Sequence, residues 1–205
     1  METDGLVYAY LLDGKGGGRR LGWSEAAAWT PDQGLLWLHL DYTSPGAKSW
    51  LRTHSGLASA AVETLLAEET RPRAVALDDG LLVCLRGVNM NPGADPEDMV
   101  SIRLFCDGER MVSTRHRRLM SVIDVVDSLD GGRGPRGPGD LLVATASRLV
   151  DRMSAVIQEL EDRVDQAEDA ILAGAAHDQR STLLQIRREA IMLRRYLGPQ
   201  RDALA

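Results

Sequence analysis

The chain lacks any apolar run approaching the roughly 20 residues that a helix needs to cross a bilayer. Its 205 residues are therefore expected to form a soluble piece of protein. No secretory leader is expected from the opening METDGLVYAY, which starts acidic and has no basic segment. Cysteine is scarce. Cys84 and Cys106 sit in different predicted strands, without the spacing of a metal site, and are expected to be reduced core thiols in an intracellular compartment. There is no cationic surplus: a formal net charge of −6 argues against nucleic acid as a partner. The short run Arg115-His116-Arg117-Arg118 reads as a solvated helix start. Catalytic motifs are also absent. Gly14-Lys15-Gly16-Gly17-Gly18 lacks P-loop spacing and a Ser or Thr after the lysine, and no Ser/His/Asp or Cys/His constellation is legible, so an enzyme is not expected.

What is present is enough apolar sequence to bury a sizeable core. Strands are predicted at Leu6–Leu12, Leu35–Leu40, Arg73–Leu77, Leu81–Val88, Met99–Cys106 and Arg110–Thr114. Asp78-Asp79-Gly80 and Asp107-Gly108 are hairpin turns. Short helices are predicted after Ser24, over Ala47–Thr53 and Leu57–Ala67, and again over Arg117–Leu129. Helices mixed with antiparallel hairpins indicate an α+β fold, with a layered α/β/α domain over residues 1–130. Two arginines stand inside apolar strands. Arg86 follows Leu81-Leu82-Val83-Cys84-Leu85, and Arg103 lies among Val100, Ile102, Leu104 and Phe105. An unpaired buried guanidinium costs several kcal/mol, so each must reach carboxylates, carbonyls or solvent.

The segment 131–139, Gly131-Gly132-Arg133-Gly134-Pro135-Arg136-Gly137-Pro138-Gly139, is expected as a hinge or domain boundary. Residues 140–197 then read as a helical hairpin. Its first helix is capped by Asp140 and carries Leu142, Ala146, Leu149, Met153, Val156, Leu160, Val164, Ala167 and Ile171 in steps of three and four. Gly174 interrupts it, and the second helix repeats the pattern through Leu183, Ile186, Ala190, Leu193 and Leu197. Gly198-Pro199 is expected to end that helix, with a third helix starting in 198–205.

Three stretches resemble a known family. They are Glu69-Thr70-Arg71-Pro72-Arg73, Leu85-Arg86-Gly87-Val88-Asn89, and the run from Asn91 through Asp95-Pro96-Glu97-Asp98 to Arg103. Trp37-Leu38-His39-Leu40-Asp41-Tyr42 and Ser113-Thr114-Arg115 fit the same pattern. The chain is similar to the cytosolic domain of ZntB-type proteins, the zinc-transporting branch of the CorA superfamily of divalent-cation transporters. The resemblance implies a cytosolic regulatory and oligomerisation domain at the inner face of the plasma membrane. It also implies a homopentameric funnel that leads ions to a pore in a transmembrane part, and a stalk helix beginning near residue 198. A competing reading is a soluble scaffold or sensor that binds a protein partner through its helical hairpin.

Candidate metal ligands follow from spacing. Asp162, Asp165 and Asp169 share one helical stripe, with Glu161 and Glu168 alongside, and could hold a hard hydrated cation such as magnesium. Zinc prefers nitrogen or sulfur, and the nearest imidazole is His177, beside Asp178 beyond the Gly174 break. The alternative is that folding at Gly174 sets the stripe opposite Arg180, Arg187 and Arg188 as interhelical ion pairs. A divalent cation, zinc or magnesium, is thus a possible ligand, and none is needed for folding. His39 and His54 are isolated and read as structural.

Overall fold

The computed structural model describes residues 5–174 and 179–205. The first half alternates β1 (Leu6–Leu12), β2 (Gly18–Arg20), α1 (Trp23–Ala27), β3 (Leu35–Asp41), α2 (Pro45–Thr53) and α3 (Ser59–Leu65). Then come β4 (Arg73–Leu77), β5 (Gly80–Gly87), β6 (Val100–Cys106), β7 (Arg110–Arg115), α4 (Met120–Asp130), α5 (Pro138–Leu172) and α6 (Arg180–Leu204). The strands form one mixed sheet in the order β2-β1-β3-β7-β6-β5-β4. Only the β3–β7 contact is parallel; the remaining neighbours pair antiparallel.

The continuous apolar strands belong where both faces are covered. On β3, alternate residues turn to opposite sides. Leu36, Leu38 and Leu40 join Phe105, Val112 and the α2–α3 residues Leu51, Ala61 and Leu65 in one core. Trp37 faces the other way, into a core with Ile102, Leu104, Val125 and Leu129, and with Leu141 and Leu149 of α5. The result is α/β/α layering, with each fully buried Leu or Ile side chain worth about 1.5–3 kcal/mol. The first half of α5 is itself part of the second helical layer. Its approach depends on Gly87, where a Cβ would meet Leu149 Cδ2 at 2.5 Å and Leu119 Cδ2 at 2.9 Å.

The Gly/Pro segment 131–139 is held by specific contacts. Pro135 and Pro138 are buried. Gly134 N donates to Gly16 O (2.6 Å) and Arg133 N to Ser128 O (2.9 Å), so the loop is clasped between the β1–β2 turn and the end of α4. Helix α5 starts at Pro138 after Gly137, one turn position that suits proline, and not at an Asp140 cap. Strand β2, pairing Gly18 to Arg20 with β1, was hidden by the glycines around it.

One expectation is corrected. Gly198-Pro199 does not end the second hairpin helix: α6 runs unbroken from Arg180 to Leu204 with Pro199 inside it. An internal proline costs about 3 kcal/mol in isolation. Here the residues on either side are anchored, because Tyr196 and Leu197 pack against Val88, Met99, Met153 and Leu193, while Gln200 is 3% exposed and bonded to the sheet. Tertiary contact outweighs local propensity. Among the described residues no helix is long and apolar enough to cross a membrane.

Candidate functional site

The two strand arginines organise the polar end of the sheet. The β4–β5 ladder ends at the Arg73–Cys84 pair, so the backbone of Arg86 has no strand neighbour on that side. Gln200 of α6 takes the strand's place. Arg86 N donates to Gln200 Oε1 (2.6 Å), and Gln200 Nε2 donates to Arg86 O (3.0 Å). The Arg86 guanidinium then reaches Thr70 O through Nε and Nη2 (3.3 and 3.0 Å) and Met99 O through Nη1 (2.8 Å). It also stacks 4.1 Å from the Tyr196 ring. One side chain thereby joins β5, the residue leading into β6, the α3–β4 loop and α6.

Arg103 is fully buried. Its Nη2 donates to Ala67 O (2.5 Å) and Glu68 O (2.9 Å), just past the end of α3, and the guanidinium lies 4.5 Å from the Tyr42 ring. Among the described residues Nε and Nη1 have no hydrogen-bond partner. Burial pulls this arginine below its ordinary pKa. Of the partners the sequence allowed, carbonyl oxygens serve both arginines, and each also stacks on an aromatic face that the sequence reading did not name. Beside them opens a polar cleft of about 300 Å³, bordered by Tyr42, Glu68, Glu69, Arg86, Arg195 and Tyr196. At its rim Arg117 pairs with Asp98 at 2.7 Å, and both are exposed.

His39 is a core residue, as expected. Ser113 Oγ donates to Leu38 O (3.1 Å), accepts from Trp37 Nε1 (2.9 Å) and stands 2.8 Å from His39 Nδ1. With the serine proton on Leu38 O, Nδ1 is the protonated nitrogen and donates. Burial, reinforced by the nearby Arg115 charge, pushes the imidazole pKa down to about 3, so it is neutral. His54 is exposed, 2.5 Å from Thr53 Oγ1. Both cysteines are free thiols.

Asp162, Asp165 and Asp169 all lie exposed on the distal half of α5. Gln158 Nε2 donates to Asp162 at 3.3 Å from within the same helix. His177 and Asp178 lie outside the described residues. Among the described residues no group of three or more His, Cys, Asp or Glu side chains is placed to hold a metal ion. The ion pairs expected with Arg180, Arg187 and Arg188 are also not formed among the described residues. The pair that bridges the hairpin has the opposite sense. Arg163 of α5 meets Glu189 of α6 in a bidentate contact at 2.5 and 3.1 Å. The reason is rotational. The helices meet through Met153, Val156, Leu160 and Leu193, which brings Arg163 and Glu189 to the seam and turns the aspartates and α6 arginines to solvent. Sequence reasoning missed Gln200, Tyr196 and Arg163. A usable signal was Glu189, the one acid among Arg187, Arg188, Arg194 and Arg195.

Comparison with known proteins places this architecture. Residues 32–205 match the family described as CorA-like Mg2+ transporter protein. The divalent cation transporter CmaX of Pseudomonas aeruginosa is 45% identical over 206 residues, covering 98% of this chain and 61% of CmaX. The solved structure of full-length CmaX superposes with a TM-score of 0.90 over 98% of this chain and 63% of that one, at 42% identity. The zinc transport protein ZntB of Yersinia enterocolitica is 38% identical across 100% of this chain and 62% of its own length. The cytoplasmic domain of ZntB from Vibrio parahaemolyticus shares the fold, with a TM-score of 0.82 over 97% of this chain and 77% of that domain, at 24% identity. The chain thus spans about three fifths of the length of the curated relatives it matches.

Proposed function

The chain belongs to the CorA-like Mg2+ transporter protein family, and from that premise we propose that it forms the cytosolic regulatory and oligomerisation domain of a divalent-cation transporter. The carrying observation is similarity to CmaX at 45% identity over 98% of this chain, a span that takes in both the α/β/α layers and the helical hairpin. In this reading the domain sits at the cytoplasmic face of the inner membrane and assembles as a homo-oligomer, a pentamer, around an ion path. Zinc is the favoured cargo because ZntB proteins from several bacteria are 34–38% identical to it; CmaX is described more broadly, as a divalent-cation transporter. Gln200 and Arg86 give the domain a mechanical role. They fix the outgoing end of α6 against the sheet, so a segment continuing from α6 would start from a defined position and direction.

The test uses the complete protein in vesicles loaded with a zinc-sensitive or magnesium-sensitive dye. Divalent entry that depends on the complete protein is the expected result; vesicles as tight as protein-free ones overturn the transporter reading. The scaffold reading has one observation in its favour, the exposed apolar residues Leu184 (58%) and Ile191 (56%) on α6. It gains if the purified complete protein moves no cation but retains a protein partner lost on Leu184→Asp/Ile191→Asp.

A further inference from the structure

The distal hairpin separates its charges. On α5, Glu161, Asp162, Asp165, Glu168 and Asp169 are all exposed, and no arginine or lysine within the described residues pairs with any of them. On α6, Arg180, Arg187 and Arg188 are exposed and likewise have no ion-pair partner among the described residues. The one cross-hairpin ion pair among the described residues, Arg163 with Glu189, sets the level: Asp162 flanks it on one helix and Arg188 on the other. An acidic ridge and a basic ridge therefore stand at the same height on different helices of one hairpin, turned away from each other. The basic ridge is interleaved with exposed apolar side chains, Leu184 and Ile191, which share its face at spacings of four and three around Arg188.

Surface charges on helical hairpins ordinarily find their opposites within the same molecule or intermix. Here, among the described residues, they are sorted by helix and left without ion-pair partners, and an unpaired like-charge stripe is mildly destabilising in the lone chain. The sorting suits a second copy of this chain. A neighbour related by rotation about an axis roughly parallel to the hairpin brings its basic α6 ridge against the acidic α5 ridge at equal height. Each copy then offers one ridge to the neighbour on its left and the other to the neighbour on its right. Such a contact is heterologous and repeats around a ring; a two-fold dimer would instead use the same patch twice.

We propose that the acidic ridge of α5 and the basic ridge of α6 are the two halves of one interface between adjacent copies of this chain. The proposal rests on the homo-oligomeric part of the reading above, and it specifies which surfaces meet and by what chemistry. Charge complementarity of this kind sets orientation and partner choice more than tightness, so the contact is weak and salt-sensitive.

Sedimentation of the 205-residue chain over a concentration series at low and high salt tests this directly. Two variants carry the argument: one with the α5 ridge reversed in charge (Glu161→Lys/Asp162→Lys/Asp165→Lys/Glu168→Lys/Asp169→Lys) and one with the α6 ridge reversed (Arg180→Glu/Arg187→Glu/Arg188→Glu). The substituted side chains are exposed, so both forms should fold; should one fail, the other and the salt series still decide. Wild type should associate at low salt, with Kd rising about tenfold or more on moving to a few hundred millimolar salt. Each variant alone should stay monomeric, and an equimolar mixture of the two should associate again because each supplies the ridge the other needs. A wild type that stays monomeric at low salt, a variant that associates like wild type, or a mixture no stronger than its components each overturns the interface. The transporter reading is tested apart from the interface: if the complete protein carrying either variant still transports cations as an intact oligomer, the interface is wrong and that reading stands, whereas vesicles as tight as protein-free ones overturn that reading whatever the chain's association state.

Discussion

Replacing Gln200 by Leu removes a hydrogen-bond partner from two backbone groups at once. The Arg86 N–H loses its acceptor and the Arg86 carbonyl its donor, in a place where Gln200 itself is 3% exposed. Each buried group left unsatisfied costs about 1–3 kcal/mol, and partial entry of water lowers the sum to roughly 2–3 kcal/mol. For a domain of this size that is a fall of about 5–10 °C in Tm. The damage should be local before it is global. Tyr196 stacks on the same Arg86 guanidinium one helical turn earlier, so amide exchange should accelerate first in the last turns of α6 and at the end of β5. Gln200→Glu separates the two bonds. A carboxylate still accepts from Arg86 N, yet it faces the Arg86 carbonyl with a negative charge where the amide donated. It should therefore be at least as destabilising as the leucine near neutral pH and recover in part on acidification. A Tm within about 1 °C of wild type for both variants would refute the claim that α6 is registered to the sheet through this side chain.

Three further outcomes follow from particular contacts. Asp162→Asn/Asp165→Asn/Asp169→Asn, with chelator present, should raise stability by a few tenths of a kcal/mol per relieved pair, because these aspartates are exposed and lack cationic partners among the described residues; a lowered Tm would mean that they do pair with Arg180, Arg187 and Arg188. Cys84 and Cys106 should both titrate with a thiol reagent after denaturation without reductant, and a blank titration would contradict two free thiols. His39 has its folded pKa depressed to about 3, so between that value and the ordinary 6.5 the unfolded chain binds a proton that the folded chain does not. Stability from this group is present above pH 6.5 and falls as pH drops through that window, by about 2 kcal/mol at pH 5. His39→Asn should fold less stably but show a flatter acid limb in urea titrations, and an unchanged slope would exclude His39 as its source.

The layered α+β class, six of the seven strands and the helical hairpin were legible because periodicity and turn chemistry report directly on which faces are buried. Leu36, Leu38 and Leu40 alternate with Trp37 and His39, and the two sets do enter opposite cores. The need of Arg86 and Arg103 for partners was legible too, since buried guanidinium is costly wherever it lies. Which partners they found was not. Thr70, Met99, Ala67 and Glu68 offer backbone oxygens, and a carbonyl leaves no trace in side-chain identity. Pro199 misled for a related reason: its local cost is readable from sequence, whereas the burial of Gln200 on β5, over a hundred positions away, is not. The charged stripe shows the limit most sharply. Spacing put Asp162, Asp165 and Asp169 on one face correctly, but whether that face meets α6 depends on the rotation of α5 about its axis. The apolar seam sets that rotation, and it brought Arg163 inward to Glu189 and left the aspartates in solvent. Apolar burial commits more free energy than exposed ion pairing, at about 25 cal/mol per Å² against at most about 1 kcal/mol per pair, so where the two favour different rotations the seam wins.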